Sequence, residues 1–273
     1  MLLGGRVAVV TGGSRGVGKG VALELGAAGA TVYLTGRRAG RAAEAAAEVD
    51  AAGGRGVAVA CNHRDDAAVG ALFDQVAAEQ GRLDLLVNNV YDSAGSARWL
   101  GRPFWEVGPE GWDHTFAVGV RSHYVASAFA APLLFASGGG LVVNVSSPGA
   151  ARYMHNVVYG VAKAAVDRMT SDMAVDLADK GVAVVSIWPG LVDTELLQAV
   201  PRGADGRRLL VLPGEGEFDL DRAETPRFAG RAVVALAADP GVAARSGRAF
   251  RVAELASEYG FTDVDGTIPE GTP

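Results

Sequence analysis

Tyr159 and Lys163 are the residues whose types and spacing most directly suggest chemistry. In Tyr159-Gly160-Val161-Ala162-Lys163 the two stand four apart, so on a helix they share one face and can point into one cleft. A free phenol, with a pKa of about 10, is a poor acid–base catalyst at neutral pH. A cation within about 4–6 Å favours the phenolate and lowers that pKa by roughly 1–3 units. The pair therefore suits proton transfer at a substrate oxygen. The spacing alone recurs by chance. Its position is more telling, because it follows an apolar run ending in Ser146-Ser147.

A second group is Thr11-Gly12-Gly13-Ser14-Arg15-Gly16-Val17-Gly18, between the first apolar run and the first helical segment. Three patterns share these residues. Gly13 to Lys19 fits the start of a P-loop, but Gly20 stands where a magnesium-binding hydroxyl is needed. Gly12 to Gly16 fits a hydrolase nucleophile elbow around Ser14. Only 11 residues precede Gly12, too few for the strands and oxyanion loop that such an elbow requires. The third pattern is a dinucleotide loop. In it Gly12 makes the turn, Gly16 admits the pyrophosphate against the backbone, and Gly18 lets helix and strand pack. An NAD-specific loop calls for Asp or Glu at the end of the second strand. Thr35-Gly36-Arg37-Arg38 stands there instead. With Arg15, these arginines make a cationic pocket for a 2′-phosphate. The expected cofactor is NADP(H), with NAD(H) as the alternative.

Such groups must be carried by a scaffold, and the hydrophobic pattern supplies one. Short apolar runs at 6–10, 31–35, 56–61, 83–89, 141–146, 182–188 and 248–252 alternate with helical segments at 18–28, 39–51, 65–80, 112–137, 159–179 and 226–238. The runs are continuous rather than alternating, as in strands covered on both faces. The expectation is an α/β fold: one doubly wound Rossmann-type domain over 1–273, its seven-stranded parallel sheet flanked by helices on both faces. The 201–225 stretch, rich in Gly, Asp and Arg, reads as a mobile part of a substrate loop at about 191–225.

Bulk properties exclude several other functions. The chain has 273 residues, is 49% hydrophobic and carries a formal charge of −6, which argues against nucleic acid as a partner. The single cysteine, Cys61, rules out an internal disulfide and a cysteine metal cluster. The four histidines show no metal spacing, so no metal is expected. The first residues read as a strand rather than a signal peptide, and the apolar stretch 124–145 is broken by Pro132 and Gly138 to Gly140, so no membrane span is expected. The expected location is cytoplasmic.

Taken together, the motifs resemble the short-chain dehydrogenase/reductase family. The glycine loop 11–18 matches T-G-x-x-x-G-x-G, and Asn88-Asn89 matches the first half of N-N-A-G. Ser146 or Ser147, Tyr159 and Lys163 match the catalytic set, and Pro189-Gly190 with Thr194 matches P-G-x-x-x-T. The resemblance covers about residues 5–255. Within the family, SSPG at 146–149, YGVAKAA at 159–165, TELL at 194–197 and YGFTDVDG at 259–266 resemble one subgroup. The last motif lies in a C-terminal extension at about 255–273.

The resemblance implies a carbonyl reductase or alcohol dehydrogenase acting on a small-molecule carbonyl or alcohol. Tyr159 would donate the proton. Lys163 would hold the nicotinamide ribose and lower the Tyr159 pKa. A serine would polarise the carbonyl. Alignment from the strand places that role on Ser147, and counting back 13 residues from Tyr159 places it on Ser146; Ser147 is preferred because strands keep register. The cofactor set implied is Gly12, Ser14, Arg15, Gly16, Val17, Gly18, Arg37, Asn62 at the adenine, Asn89, Tyr159, Lys163, Pro189 and Gly190, with Val192 and Thr194 at the nicotinamide amide. Related folds pair through the helices at 112–137 and 159–179, so a homodimer or homotetramer is expected. The rival reading is an NADP(H)-binding sensor without turnover.

Three departures from the family pattern stand out. Val90-Tyr91 replaces Ala-Gly after Asn89. Gly119 stands where many members carry a relay asparagine. The segment 92–108 is long and carries Trp99, Phe104 and Trp105, expected to pack rather than line a pocket. A mid-helix glycine costs about 1 kcal/mol relative to alanine, so Gly119 is expected either to allow a close helix–helix or helix–sheet contact or to permit a helix distortion, one in which a water links Lys163 to a nearby main-chain carbonyl. His155, four residues before Tyr159, is expected at the rim of the substrate site.

Overall fold

The computed structural model describes residues 1–212 and 215–269. Positions 213–214 of the expected substrate loop and 270–273 of the expected C-terminal extension lie outside the described residues. In chain order the elements are β1 (Val7–Val10), α1 (Gly16–Ala27), β2 (Thr31–Gly36), α2 (Ala39–Ala51), β3 (Arg55–Ala60), α3 (Asp66–Gln80), β4 (Leu85–Asn88), α4 (Ser93–Ser96), α5 (Phe104–Phe116) and α6 (Ser122–Ala136). Then come β5 (Gly140–Val145), α7 (Val157–Asp176), β6 (Val182–Trp188), α8 (Glu195–Gln198), β7 (Leu209–Leu212), β8 (Gly216–Asp219), α9 (Pro226–Ala238), β9 (Ala249–Arg251) and α10 (Val252–Tyr259).

Seven strands form one parallel sheet in the order β3-β2-β1-β4-β5-β6-β9. The continuous apolar runs explain why it is covered twice. Successive strand residues face opposite ways, so Val10 and Leu34 join one core with Leu25, Val49, Phe228 and Leu236, under α1, α2 and α9. Val9 and Tyr33 join the other with Leu72, Phe73, Ala130 and Leu134, under α3 and α6. The order reverses at β1, between β2 and β4. A crevice opens there at the carboxyl ends of the strands, where ligands bind in open α/β sheets. Among the described residues no helix is long and apolar enough to cross a membrane.

Two regions depart from the sequence reading. The helix expected at 112–137 is three pieces. α5 begins earlier, is interrupted at Gly108 (φ 64°), and runs into a π-helical turn at Ala117–Arg121 before α6. That turn is centred on Gly119, so the expected distortion is present. The stretch 201–225, read as an unpatterned loop, carries the antiparallel β7–β8 hairpin. Charge pairing builds it: Arg202 and Arg208 hold Asp221, Arg207 holds Asp219, and Arg208 also reaches Asp193. The sequence reading took the stretch by its Gly, Asp and Arg content and passed over the apolar run Leu209–Leu212, which becomes the first strand of the hairpin.

Candidate active site

The crevice is a cleft of about 330 Å³. Its first end is the glycine loop. Gly12 has φ +66° and Gly16 φ +53°, conformations that favour glycine. A Cβ on Gly18 would lie 2.3 Å from Asn89 Nδ2 and 2.4 Å from the Gly12 carbonyl oxygen, so Gly18 serves packing and does not line the cleft. Asn89 fixes the loop through Nδ2, which donates to the carbonyls of Thr11 at 2.9 Å and Gly12 at 3.2 Å. The Gly12 amide donates to Thr35 Oγ1 at 2.9 Å, and His63 Nε2 lies 2.8 Å from the same hydroxyl. His63 is buried, and burial pulls its pKa down to about 4; it braces the loop as a neutral ring.

The Gly16 amide donates to the Glu195 carboxylate at 3.0 and 3.3 Å. An amide at the N-terminus of α1 that holds a carboxylate is a fitting partner for a phosphate. Arg15, Arg37 and Arg64 line the same end, with Ser14 and Asn62. Arg37 also approaches Asp92 at 3.7 Å. The donors and glycine conformations fit a dinucleotide.

The second end is built on β5 and α7. Asn156 caps α7: its Oδ1 accepts from the Tyr159 amide at 2.9 Å, and its Nδ2 donates to the Trp99 carbonyl at 2.9 Å. The cap places Tyr159 in the first turn of α7, beside the strand end. Tyr159 Oη donates to Ser147 Oγ at 2.9 Å. Ser146 Oγ points away, donating to the Lys163 carbonyl at 3.3 Å. Lys163 is buried and donates from Nζ to the Val145 carbonyl at 3.1 Å. Its ammonium lies 5.8 Å from the Tyr159 ring centroid and 5.3 Å from that of Tyr91. Burial pulls the Lys163 pKa down to about 8, against the favourable charge of Asp167.

The expected lowering of the Tyr159 pKa is not what the geometry gives. Burial pushes the phenol above its ordinary value, and the Ser147 hydrogen bond only partly opposes this. The spacing argument counted the nearby cation but not the desolvation that both side chains share.

Most of the residues expected at the site do meet in one cleft: Gly12, Ser14, Arg15, Gly16, Val17, Arg37, Asn62, Asn89, Ser146, Ser147, Tyr159, Lys163, Pro189, Gly190 and Thr194 all line it. Val192 does not; it is buried, bridges to Glu224, and its carbonyl accepts from the Thr194 amide at 2.7 Å. His155 is at the reaction end, its ring 4.7 Å from that of Tyr159, and its amide donates to Glu215 of the β7–β8 turn at 2.6 Å. Trp99 packs against Val107 and Val158 as expected, whereas Phe104 and Trp105 are exposed and neither pack in the core nor line the cleft. Sequence reasoning missed Asn156, Glu195 and Glu215. Only Asn156 carried a usable signal, an Asn before a helix.

The family sequence profile described as short chain dehydrogenase matches residues 6–205. This chain is a short-chain dehydrogenase/reductase. It is 44% identical to dehydrogenase/reductase SDR family member 1 of Mus musculus over 269 residues, covering 96% of this chain and 84% of that protein. It is 44% identical to the Homo sapiens protein of the same name over 268 residues, covering 97% and 85%. The motifs at 146–149, 159–165, 194–197 and 259–266 resembled this subgroup. Among solved structures, a metagenomic short-chain oxidoreductase in complex with NADP is similar with a TM-score of 0.70 and 30% identity, over 88% of this chain and 93% of that one. As a member of the family the chain is an oxidoreductase of CH–OH or C=O groups whose fold binds NAD(P)(H).

Proposed function

We propose that this short-chain dehydrogenase/reductase is an NADP(H)-dependent carbonyl reductase or alcohol dehydrogenase, with Tyr159, Ser147 and Lys163 at its reacting centre. The observation that carries the reading is the 2.9 Å bond from Tyr159 Oη to Ser147 Oγ, in the wall of the cleft that begins at the glycine loop. Ser147 Oγ accepts from Tyr159 and, at 3.2 Å, from the Gly149 amide. With both lone pairs engaged, its own hydrogen is left to donate to a substrate oxygen. When substrate enters, Tyr159 turns its one hydrogen from Ser147 to that oxygen, so that both hydroxyls donate to it. Ser147 polarises the carbonyl, and Tyr159 gives up its proton as the oxygen gains charge. Burial keeps the phenol protonated at rest, which is the form that reduction consumes. The Lys163 ammonium offsets the charge left on Tyr159. When bound, the nicotinamide supplies or takes the hydride. In the direction of alcohol oxidation, Tyr159 receives the proton instead.

The arginines support NADP(H) over NAD(H). Arg15, Arg37 and Arg64 surround the adenosine end, and no carboxylate closes β2. Asn62, Asn89, Pro189, Gly190 and Thr194 complete the cofactor wall in this reading. A homo-oligomer is part of the same proposal, because Tyr124, Phe129 and Phe135 on α6 and Val161 and Val175 on α7 are exposed. A monomeric mass by light scattering would refute it. Cys61 is a free buried thiol, which suits a reducing compartment such as the cytoplasm. The test of function is loss of absorbance at 340 nm from NADPH with a panel of ketones and quinones. Carbonyl-dependent consumption is expected. NADPH binding with no turnover on any of them would favour a sensor.

A further inference from the structure

Tyr91 stands where the family pattern has a small residue, and Gly119 where it has a polar one. The two departures meet. A Cβ on Gly119 would lie 3.3 Å from Tyr91 Cδ2, so the missing side chain is the seat of the ring. From that seat the ring faces the Lys163 ammonium at 5.3 Å and meets the Tyr159 ring edge-on at 6.0 Å. An ammonium has three N–H donors and no acceptor. Among the contacts described for Lys163, one donor goes to the Val145 carbonyl, and the other close groups are the faces of Tyr91 and Tyr159.

The backbone before the ring is also held. His123, on the helix that follows the π turn, is 1% exposed, and its Nε2 lies 3.2 Å from the Val90 carbonyl oxygen. A carbonyl only accepts, so Nε2 carries the hydrogen and Nδ1 is the bare nitrogen. Nδ1 is buried without a partner. Burial, then the Lys163 charge, pulls the His123 pKa down to about 3. His123 is thus a neutral strut that pins Val90, and Tyr91 with it, over the glycine.

We propose that Tyr91 is a positioning residue, whose ring, seated on Gly119 and fixed by His123, holds the Lys163 ammonium in place by a cation–π contact. This rests on the reading above that Lys163 serves the reacting centre. The ring reaches the ammonium over the space that a side chain at 119 would fill, and it does so without a hydrogen bond. A cation close to an aromatic face is stabilised, more so when desolvated. The groups that face Lys163 are Asp167 and Tyr159 from its own helix, Tyr91 from the β4–α4 connection, neutral His123 from α6, and the Val145 carbonyl from β5. Removing the ring leaves Asp167 as the charge that favours the ammonium.

The test is ¹³C NMR titration of the lysine Cε resonances, in a chain that has three lysines, Lys19, Lys163 and Lys180. Wild-type Lys163 is expected to titrate near about 8. Tyr91→Phe keeps the ring and should leave that titration unchanged. Tyr91→Leu keeps bulk on Gly119 but loses the π face, and should lower it by about 0.5–1 unit. The alkaline limb of kcat/KM should move down by the same amount. If Tyr91→Leu does not fold, Tyr91→Met provides the same comparison. An unchanged Lys163 titration in the folded Leu or Met variant overturns the proposal, as does an equal shift in Tyr91→Phe. Because the NMR arm needs no turnover, an inactive wild-type protein would defeat the functional reading while still testing this one.

Discussion

The two ends of the cleft are made differently. At the adenosine end the glycine loop sets the backbone, and its amides together with arginines that follow β1, β2 and β3 supply the donors. At the reaction end the side chains come from separate parts of the chain. Tyr91, Gly119, Ser147, His155, Tyr159 and Glu215 meet only after the sheet, the π turn and the β7–β8 hairpin have assembled. The first end is general to dinucleotide binding, and the second is where this chain departs from the family pattern. Substitutions at the adenosine end should therefore change affinity for the cofactor, and substitutions at the reaction end should change the rate.

Ser147→Ala should give the largest contrast. It removes the donor for the substrate oxygen and should lower kcat by about 10²–10³-fold, while NADPH affinity is nearly unchanged. Ser146→Ala should cost far less, since its hydroxyl is spent on the Lys163 carbonyl. Steady-state kinetics on both variants decides the matter, and a larger loss in Ser146→Ala would reverse the assignment. Next is Arg37→Asp, which should weaken NADPH binding by about 10–100-fold and NADH binding much less. Equal losses in fluorescence titrations with the two cofactors would remove the 2′-phosphate pocket.

Glu195 belongs to the adenosine end, where its carboxylate occupies the Gly16 amide that a phosphate would use. Glu195→Gln removes a like charge from that position. NADPH should bind about 3–10-fold tighter, a modest effect because the group is exposed; weaker binding by calorimetry would contradict this. The smallest effect concerns Glu224, which is buried beside Asp263 of the C-terminal segment. Burial pushes its pKa from 4.5 up to about 8. Between those values the native state holds a proton that the unfolded state has released. Its contribution to stability therefore falls as pH rises through this window and is lost above about 8. Glu224→Gln should flatten the decline in melting temperature between pH 6 and 9, and identical pH profiles for the two proteins would count against it.

The same division governs what could be read beforehand. The parallel sheet, the glycine loop and the Tyr159–Lys163 pair follow from local period and spacing, and the structure has them. The choice between Ser146 and Ser147 needed the direction of two hydroxyls at a strand end, which spacing cannot give. The Tyr159 pKa needed the burial of the assembled site. The first strand of the hairpin was legible as the apolar run Leu209–Leu212, but its pairing with Gly216–Asp219, braced by Arg202, Arg207 and Arg208 on Asp219 and Asp221, was not. Tyr91 and Gly119 were each visible as departures, but their contact spans 28 positions in sequence and required the fold.

The central claim is that Tyr159 moves the proton in a reaction whose cofactor is held largely by other residues. The direct measurement pairs NADPH affinity with turnover in Tyr159→Phe, which keeps the ring and removes only Oη. The account predicts NADPH affinity within a few-fold of wild type and carbonyl-dependent NADPH oxidation reduced by at least about 10²-fold. Turnover close to wild type in the folded variant would contradict it.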